Sequence, residues 1–157
     1  MTVDKFIDEH RPNEIKLGKH MGWDYITEQS EGSAYDYTYE GKKIELKQDW
    51  KSKVTKNHFL EFEQCSHSNS PWKPSGFELS RREADLWVVA NDDLLWQIPI
   101  NQMEKMLDEH KFSIQITKPR KNNNRIGQYA RGYLVPLSIL NHYAARTMKS
   151  PITDPRN

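Results

Sequence analysis

The chain has a single cysteine among 157 residues. Cys65 can form no internal disulfide, so a disulfide-stapled extracellular scaffold is excluded, and a reducing, cytoplasmic setting is expected. No apolar run approaches the roughly 18 residues of a membrane span. The first residues, MTVDKFIDEH, lack a basic-then-apolar leader, so secretion is not expected. Several chemical signatures are also missing. There is no phosphate-cradling glycine-rich motif, no H-E-x-x-H and no G-x-S-x-G elbow. His58, Cys65 and His67 lie close in sequence, but without a C-x-x-C pair they do not read as a zinc site. Internal repeats and low-complexity tracts are absent too.

What is present suits one globular domain. Charged residues are 29% and hydrophobic residues 36%, and five Trp, seven Tyr and five Phe supply bulky core material. The length fits a single domain over residues 1–150, followed by a frayed tail, 151–157. The net charge of +1 hides an asymmetry. Residues 1–40 hold nine acids and four bases, whereas residues 111–157 hold nine bases and one acid, Asp154. An acidic first part and a basic last part suit a cation site beside a phosphate-binding surface, or simply a solvated basic face.

Periodicity predicts a mixed α+β chain with one central sheet. DKFIDEHRPNEIKLGKHMG reads as a helix in two pieces, interrupted at Pro12. NHFLEFEQ, DLWVVA, LLWQIPI and KFSIQIT read as strands, and NQMEKMLDEH as an amphipathic helix. Ser80 with Glu83, and Asn101 with Glu104, have capping-box spacing. SHSNSPWKPSGF and KPRKNNNRIGQYARG read as loops, and YLVPLSILNHYAARTM as a short strand followed by a helix.

The stretch YDYTYEGKKIELK reads as a hairpin turning at Glu40-Gly41. Tyr37 then faces Ile44 and Tyr35 faces Leu46 on an apolar side. Asp36 faces Glu45, Thr38 faces Lys43 and Ala34 faces Lys47 on the other. A one-residue slip would mix these faces, so the pattern supports the register. The consequence is two carboxylates, Asp36 and Glu45, with Cβ atoms roughly 5 Å apart. Their repulsion needs an offset: a shared proton, the nearby Lys47, or a divalent cation. Mg²⁺ is commonly held by one or two carboxylates, with water and substrate phosphate completing its octahedron. A lysine beside such a cation could stabilise negative charge developing on a phosphate or orient the attacking water. The plain alternative is a solvated polar face with Lys47 paired to an acid.

At these residues the chain resembles the PD-(D/E)xK nuclease superfamily. YD with IELK looks like its metal-binding aspartate and its E-x-K tripeptide, although Tyr35 stands where proline often precedes the aspartate. The similarity runs over about residues 4–110. It implies a restriction-endonuclease-like fold, a central mixed β-sheet flanked by helices. It also implies Mg²⁺-dependent cleavage of DNA to 5′-phosphate and 3′-hydroxyl ends, with Mn²⁺ able to substitute. Asp36 and Glu45 would be metal ligands and Lys47 the catalytic lysine. Many members, phage-type Holliday-junction resolvases among them, add a first-helix glutamate; Glu14 is the choice here and Glu9 its rival. The expected substrate is branched DNA, cut by a homodimer. Alternatives are a sequence-specific restriction or nicking enzyme, a non-catalytic nucleic-acid-binding module, and an acidic phosphate mimic that binds a protein.

Lys118, Arg120, Lys121, Arg125 and Arg131, interleaved with Tyr129 and Tyr133, form a basic cluster expected to contact phosphates. Glu61 and Glu63 could approach the site. Gln48 and Asp49 read as strand-end polar residues. Trp72, Trp87 and Trp96 read as core or rim.

Overall fold

Strand β6 (Leu86–Ala90) shows how the fold is layered. Trp87 and Val89 point into one buried cluster, while Val88 and Ala90 point into another. A strand buried on both faces reads as a continuous apolar run, which is why DLWVVA stands out in a polar sequence.

The computed structural model describes residues 3–27, 35–66, 70–118 and 128–156, with side chains from residue 11 onward. In chain order the elements are α1 (Val3–Met21), β1 (Asp24–Tyr25), β2 (Tyr37–Tyr39), β3 (Lys42–Gln48), α2 (Ser52–Thr55), β4 (Asn57–Cys65), β5 (Lys73–Pro74), α3 (Phe77–Glu83), β6, β7 (Leu94–Pro99), α4 (Ile100–Glu109), β8 (Ile114–Thr117), β9 (Tyr129–Pro136), α5 (Leu137–Tyr143) and β10 (Arg146–Lys149). The fold is mixed α+β. A mixed six-stranded sheet has order β1-β2-β3-β6-β7-β10. Within it β3 and β6 run parallel and the other pairs antiparallel.

The sequence pattern leads one to expect a single central sheet that includes β4. Instead β4 pairs with β9 in a second, four-stranded sheet of order β5-β4-β9-β8. The edge of β3 is taken by β6, because the doubly apolar β6 is buried on both faces only in the middle of a sheet. Leu60 and Val135 from the second sheet pack with Trp87, Val89, Trp96, Met103, Met106 and Leu140. On the opposite face Leu17 of α1 packs with Tyr37, Ile44, Leu46 and Val88.

Other expectations shift for local reasons. Helix α1 runs unbroken through Pro12, which costs one backbone hydrogen bond but does not divide it. Leu17 anchors its second half in the core. Helix α3 begins at Phe77, so Ser80 lies inside it, buried, and does not cap it. Helix α4 begins at Ile100, with no side-chain cap from Asn101. Tyr129 and Arg131 belong to β9, not to a loop. The final segment is docked, not frayed. Ile152 is fully buried, and Asn13 Nδ2 donates to the Thr153 carbonyl at 2.7 Å. No helix of the described residues is long and apolar enough to cross a membrane.

Candidate active site

The hairpin turns where the sequence indicates. Glu40 and Gly41 both have positive φ, 49° and 79°. Two such residues make a type I′ turn, whose twist matches the strands it joins. The register is Tyr37↔Ile44, Thr38↔Lys43 and Tyr39↔Lys42, the pairing the apolar pattern requires.

The ladder stops at Tyr37, one residue short of the expected pair. Asp36 sits at a bend. Its N–H still donates to the Ile44 carbonyl at 2.7 Å, but its carboxylate Oδ2 accepts the Leu46 N–H at 2.8 Å. The side chain thus takes over a ladder position and ends the regular strand. Tyr35 is consequently turned away from Leu46. It packs against the cluster between the sheets, and the Lys43 ammonium lies 5.1 Å from its ring centre.

Asp36 and Glu45 nevertheless meet, both buried at 8% and 6% exposure. With both acids ionised, Glu45 Oε2 is buried and has no donor among the described residues. A Glu45–Asp36 hydrogen bond requires a shared proton, and burial, followed by the charge of Asp36, holds the Glu45 carboxyl well above its ordinary range. Lys47 acts in the opposite sense: its Nζ lies 3.5 Å from Glu45 Oε1. Burial would lower the Lys47 ammonium, but the carboxylates of Glu45, Asp36 and Glu61 outweigh it and hold it above its usual value. Lys47 is therefore a cation at neutral pH. Glu61, on β4, belongs to this electrostatic neighbourhood.

Glu14 lies on α1, and its carboxyl feels the charges of Asp36 and Lys47. Its Oε2 accepts the Tyr25 hydroxyl at 2.5 Å, and its backbone carbonyl accepts the Tyr37 hydroxyl at 2.7 Å. Burial and the nearby Asp36 push its carboxyl up to about 7, against the opposing pull of Tyr25, Arg11 and Lys47. Glu9's side chain lies outside the described residues.

Beneath Lys47 lies a chain of three buried or half-buried groups. The Lys47 ammonium is 5.3 Å from the Trp87 ring centre. Trp87 Nε1 donates to His58 Nε2 at 3.2 Å, and His58 Nδ1 meets Asp49 Oδ2 at 2.7 Å. An indole N–H only donates, so Nε2 must accept and Nδ1 carries the hydrogen. Asp49 also accepts the Phe59 N–H, and its carboxyl stays below its ordinary range despite burial, through these bonds. Asp49 and His58 are thus structural partners of one another. Both nitrogens of His58 are committed, and His67 lies outside the described residues.

Among the described residues no three His, Cys, Asp or Glu side chains form a ready-made metal cage. The donor set suits a hard cation: two neighbouring carboxylates, one with an oxygen that has no donor among the described residues. A divalent ion at Asp36 and Glu45 would relieve their mutual repulsion; Glu14 does not form a three-carboxylate cluster with them.

The expected phosphate-contacting residues divide. Lys118 is exposed just beyond β8, whereas Arg120, Lys121 and Arg125 lie outside the described residues. Arg131 is engaged within the protein, its guanidinium 3.9 Å from the Trp72 ring centre and 3.5 Å from Glu63. Trp87 and Trp96 are core. A basic turn was not read from the sequence. Lys51, Lys53 and Lys56 are exposed around α2, just past the end of β3, with Val54 at 85% exposure. The signal was there, three lysines within WKSKVTK, but short lysine runs are common enough to pass as solvated surface.

No protein-family model matches the chain, and a comparison with curated proteins finds no match. Among solved structures, a bacterial homing endonuclease is similar over 80% of this chain and 84% of its own, at 17% identity and a TM-score of 0.46.

Proposed function

We propose that the chain is a divalent-cation-dependent DNA endonuclease that hydrolyses phosphodiester bonds at Asp36, Glu45 and Lys47. The observation that carries this reading is the buried Glu45 carboxylate. It is pressed against Asp36, one of its oxygens lacks a donor among the described residues, and a lysine ammonium lies 3.5 Å from the other. A solvated polar face would not bury two acids together.

Asp36 and Glu45 would hold Mg²⁺, or Mn²⁺ in its place. Bound there, the cation supplies Lewis-acid polarisation of the phosphodiester and acidifies a water. The Leu46 N–H orients Asp36. Lys47, charged at neutral pH, stabilises the negative charge that develops on the scissile phosphate or orients the attacking water. Exposed lysines of the turn after β3, together with Lys118, offer phosphate contacts that position the backbone without reading sequence. Branched DNA cut by a homodimer is the proposed substrate and assembly.

The test is cleavage with Mg²⁺ or Mn²⁺ on linear duplex, single-stranded, flapped and four-way DNA side by side, for wild type and Lys47→Ala. Cation-dependent cutting, strongest on a branched form and lost in K47A while binding persists, is the expected result. A wild-type protein that binds DNA but cuts none of the four forms would instead be a binding module.

A further inference from the structure

The indole of Trp87 is fixed in more ways than core packing requires. Trp50 and Trp96 each bury an indole N–H that has no partner among the described residues. Trp87 is treated differently. Its N–H is tied to His58, a side chain 1% exposed, and His58 is tied to Asp49. Asp49 is itself held by the Phe59 N–H at 3.0 Å. Phe77 meets the indole edge-on, with ring centres 5.3 Å apart and planes at 85°. The ring can neither slide nor rotate without breaking a buried contact.

Its position is also specific. Trp87 is the register partner of Glu45 in the parallel β3–β6 pair, so both side chains leave the sheet on the same face. Lys47, two residues along, lies on that face as well, and its ammonium sits over the ring. A lysine has four rotatable bonds and no preferred direction of its own. A fixed aromatic face next to a carboxylate restricts it to the space between them.

We propose that Asp49, His58 and Trp87 form a positioning chain that holds the Lys47 ammonium against Glu45. Its kinetic consequence rests on the endonuclease reading above; its geometric consequence does not. His58 is a positioning residue and touches no substrate. The chain runs from Asp49, the residue after β3, to β4 and β6, so it also ties the second sheet to the first.

The test compares His58→Leu with His58→Gln. A glutamine amide presents one acceptor and one donor, as the neutral imidazole does, whereas leucine presents neither. In metal-free protein, NMR reads the ring-current shift of the Lys47 εCH₂ protons and the Trp87 indole N–H resonance. In H58L both should move toward values for an unconstrained side chain, and in H58Q both should stay near wild type. With the cation and a cleaved DNA, H58L should lose about tenfold to a hundredfold in kcat, with KM within about twofold, and H58Q should recover most of it. In a Trp87→Phe background, H58L should add little further loss, because its route to Lys47 is already cut. Should H58L fail to fold, Asp49→Asn weakens the same chain while still accepting the Phe59 N–H. A folded H58L with an unchanged Lys47 resonance, or with kinetics equal to H58Q, overturns the proposal. If the wild type cuts no DNA, the endonuclease reading falls and the NMR comparison alone decides the positioning role.

Discussion

Leu46 donates its backbone N–H to Asp36 Oδ2 at 2.8 Å, and that bond sets the Asp36 carboxylate against the strand that carries Glu45 and Lys47. Removing it should cost more than one charge. Asp36→Asn keeps an acceptor but ends the carboxylate pair, while Asp36→Ala leaves the Leu46 N–H without its partner. Asp36→Ala should be destabilised relative to Asp36→Asn by about 1–3 kcal/mol, measured by urea denaturation of metal-free protein. Both should lose cation-dependent cleavage by about a hundredfold or more.

The buried acids predict an unusual dependence of stability on pH. Glu14 titrates near 4.5 when unfolded and about 7 when folded. The folded state therefore binds the proton more tightly than the unfolded one. Its contribution is fully present below about pH 4.5 and is lost as pH rises through 7. Glu45, also raised, acts in the same direction. Metal-free protein should become less stable between pH 4.5 and 7, on the order of 1–3 kcal/mol for Glu14. Glu14→Gln should flatten that slope, as thermal melts across this range would show. A melting profile that rises over the same window would contradict the assignment.

Much of this arrangement was legible in the sequence. The hairpin register followed from a period of two and from Gly41, which accepts the positive φ that the turn needs. Glu45 and Lys47 were therefore placed on one face correctly. The departure of Tyr35 was not legible, because it depends on a side-chain-to-backbone bond at Asp36 that no alternation encodes. The second sheet was hidden for another reason: β4 and β9 lie more than sixty residues apart, and only packing shows that they pair. No sequence pattern marks His58 as a partner of Asp49 and Trp87, because the three are brought together only by packing. Ile152 was missed because one apolar residue among prolines and polar residues carries no period.

That last residue gives a prediction about the chain end. Ile152 is fully buried in the cluster under α1, and Asn13 bonds the next residue's carbonyl. Ile152→Ala should cost about 2–5 kcal/mol in chemical denaturation, the usual range for emptying a buried aliphatic site. Stability unchanged within a few tenths would mean that the segment is not docked in solution.

Phosphate binding leaves a signature in salt dependence. Replacing Lys51, Lys53 and Lys56 with Gln should lower the slope of log affinity against log salt. The expected decrease is about 0.9 for each duplex phosphate that a lysine no longer neutralises. The core is untouched, since all three side chains are exposed. Fluorescence anisotropy over a salt series measures the slope. An unchanged slope would place the DNA on another face.

The central claim is that Asp36 and Glu45 share one divalent cation. Mn²⁺ added in small steps to ¹⁵N-labelled protein tests it directly, because a paramagnetic ion broadens the amide signals nearest to it. The account predicts that Leu46, Glu45 and Lys47 broaden first, and that Glu45→Gln abolishes the effect. Broadening that begins elsewhere, or that persists undiminished in the E45Q protein, would contradict it.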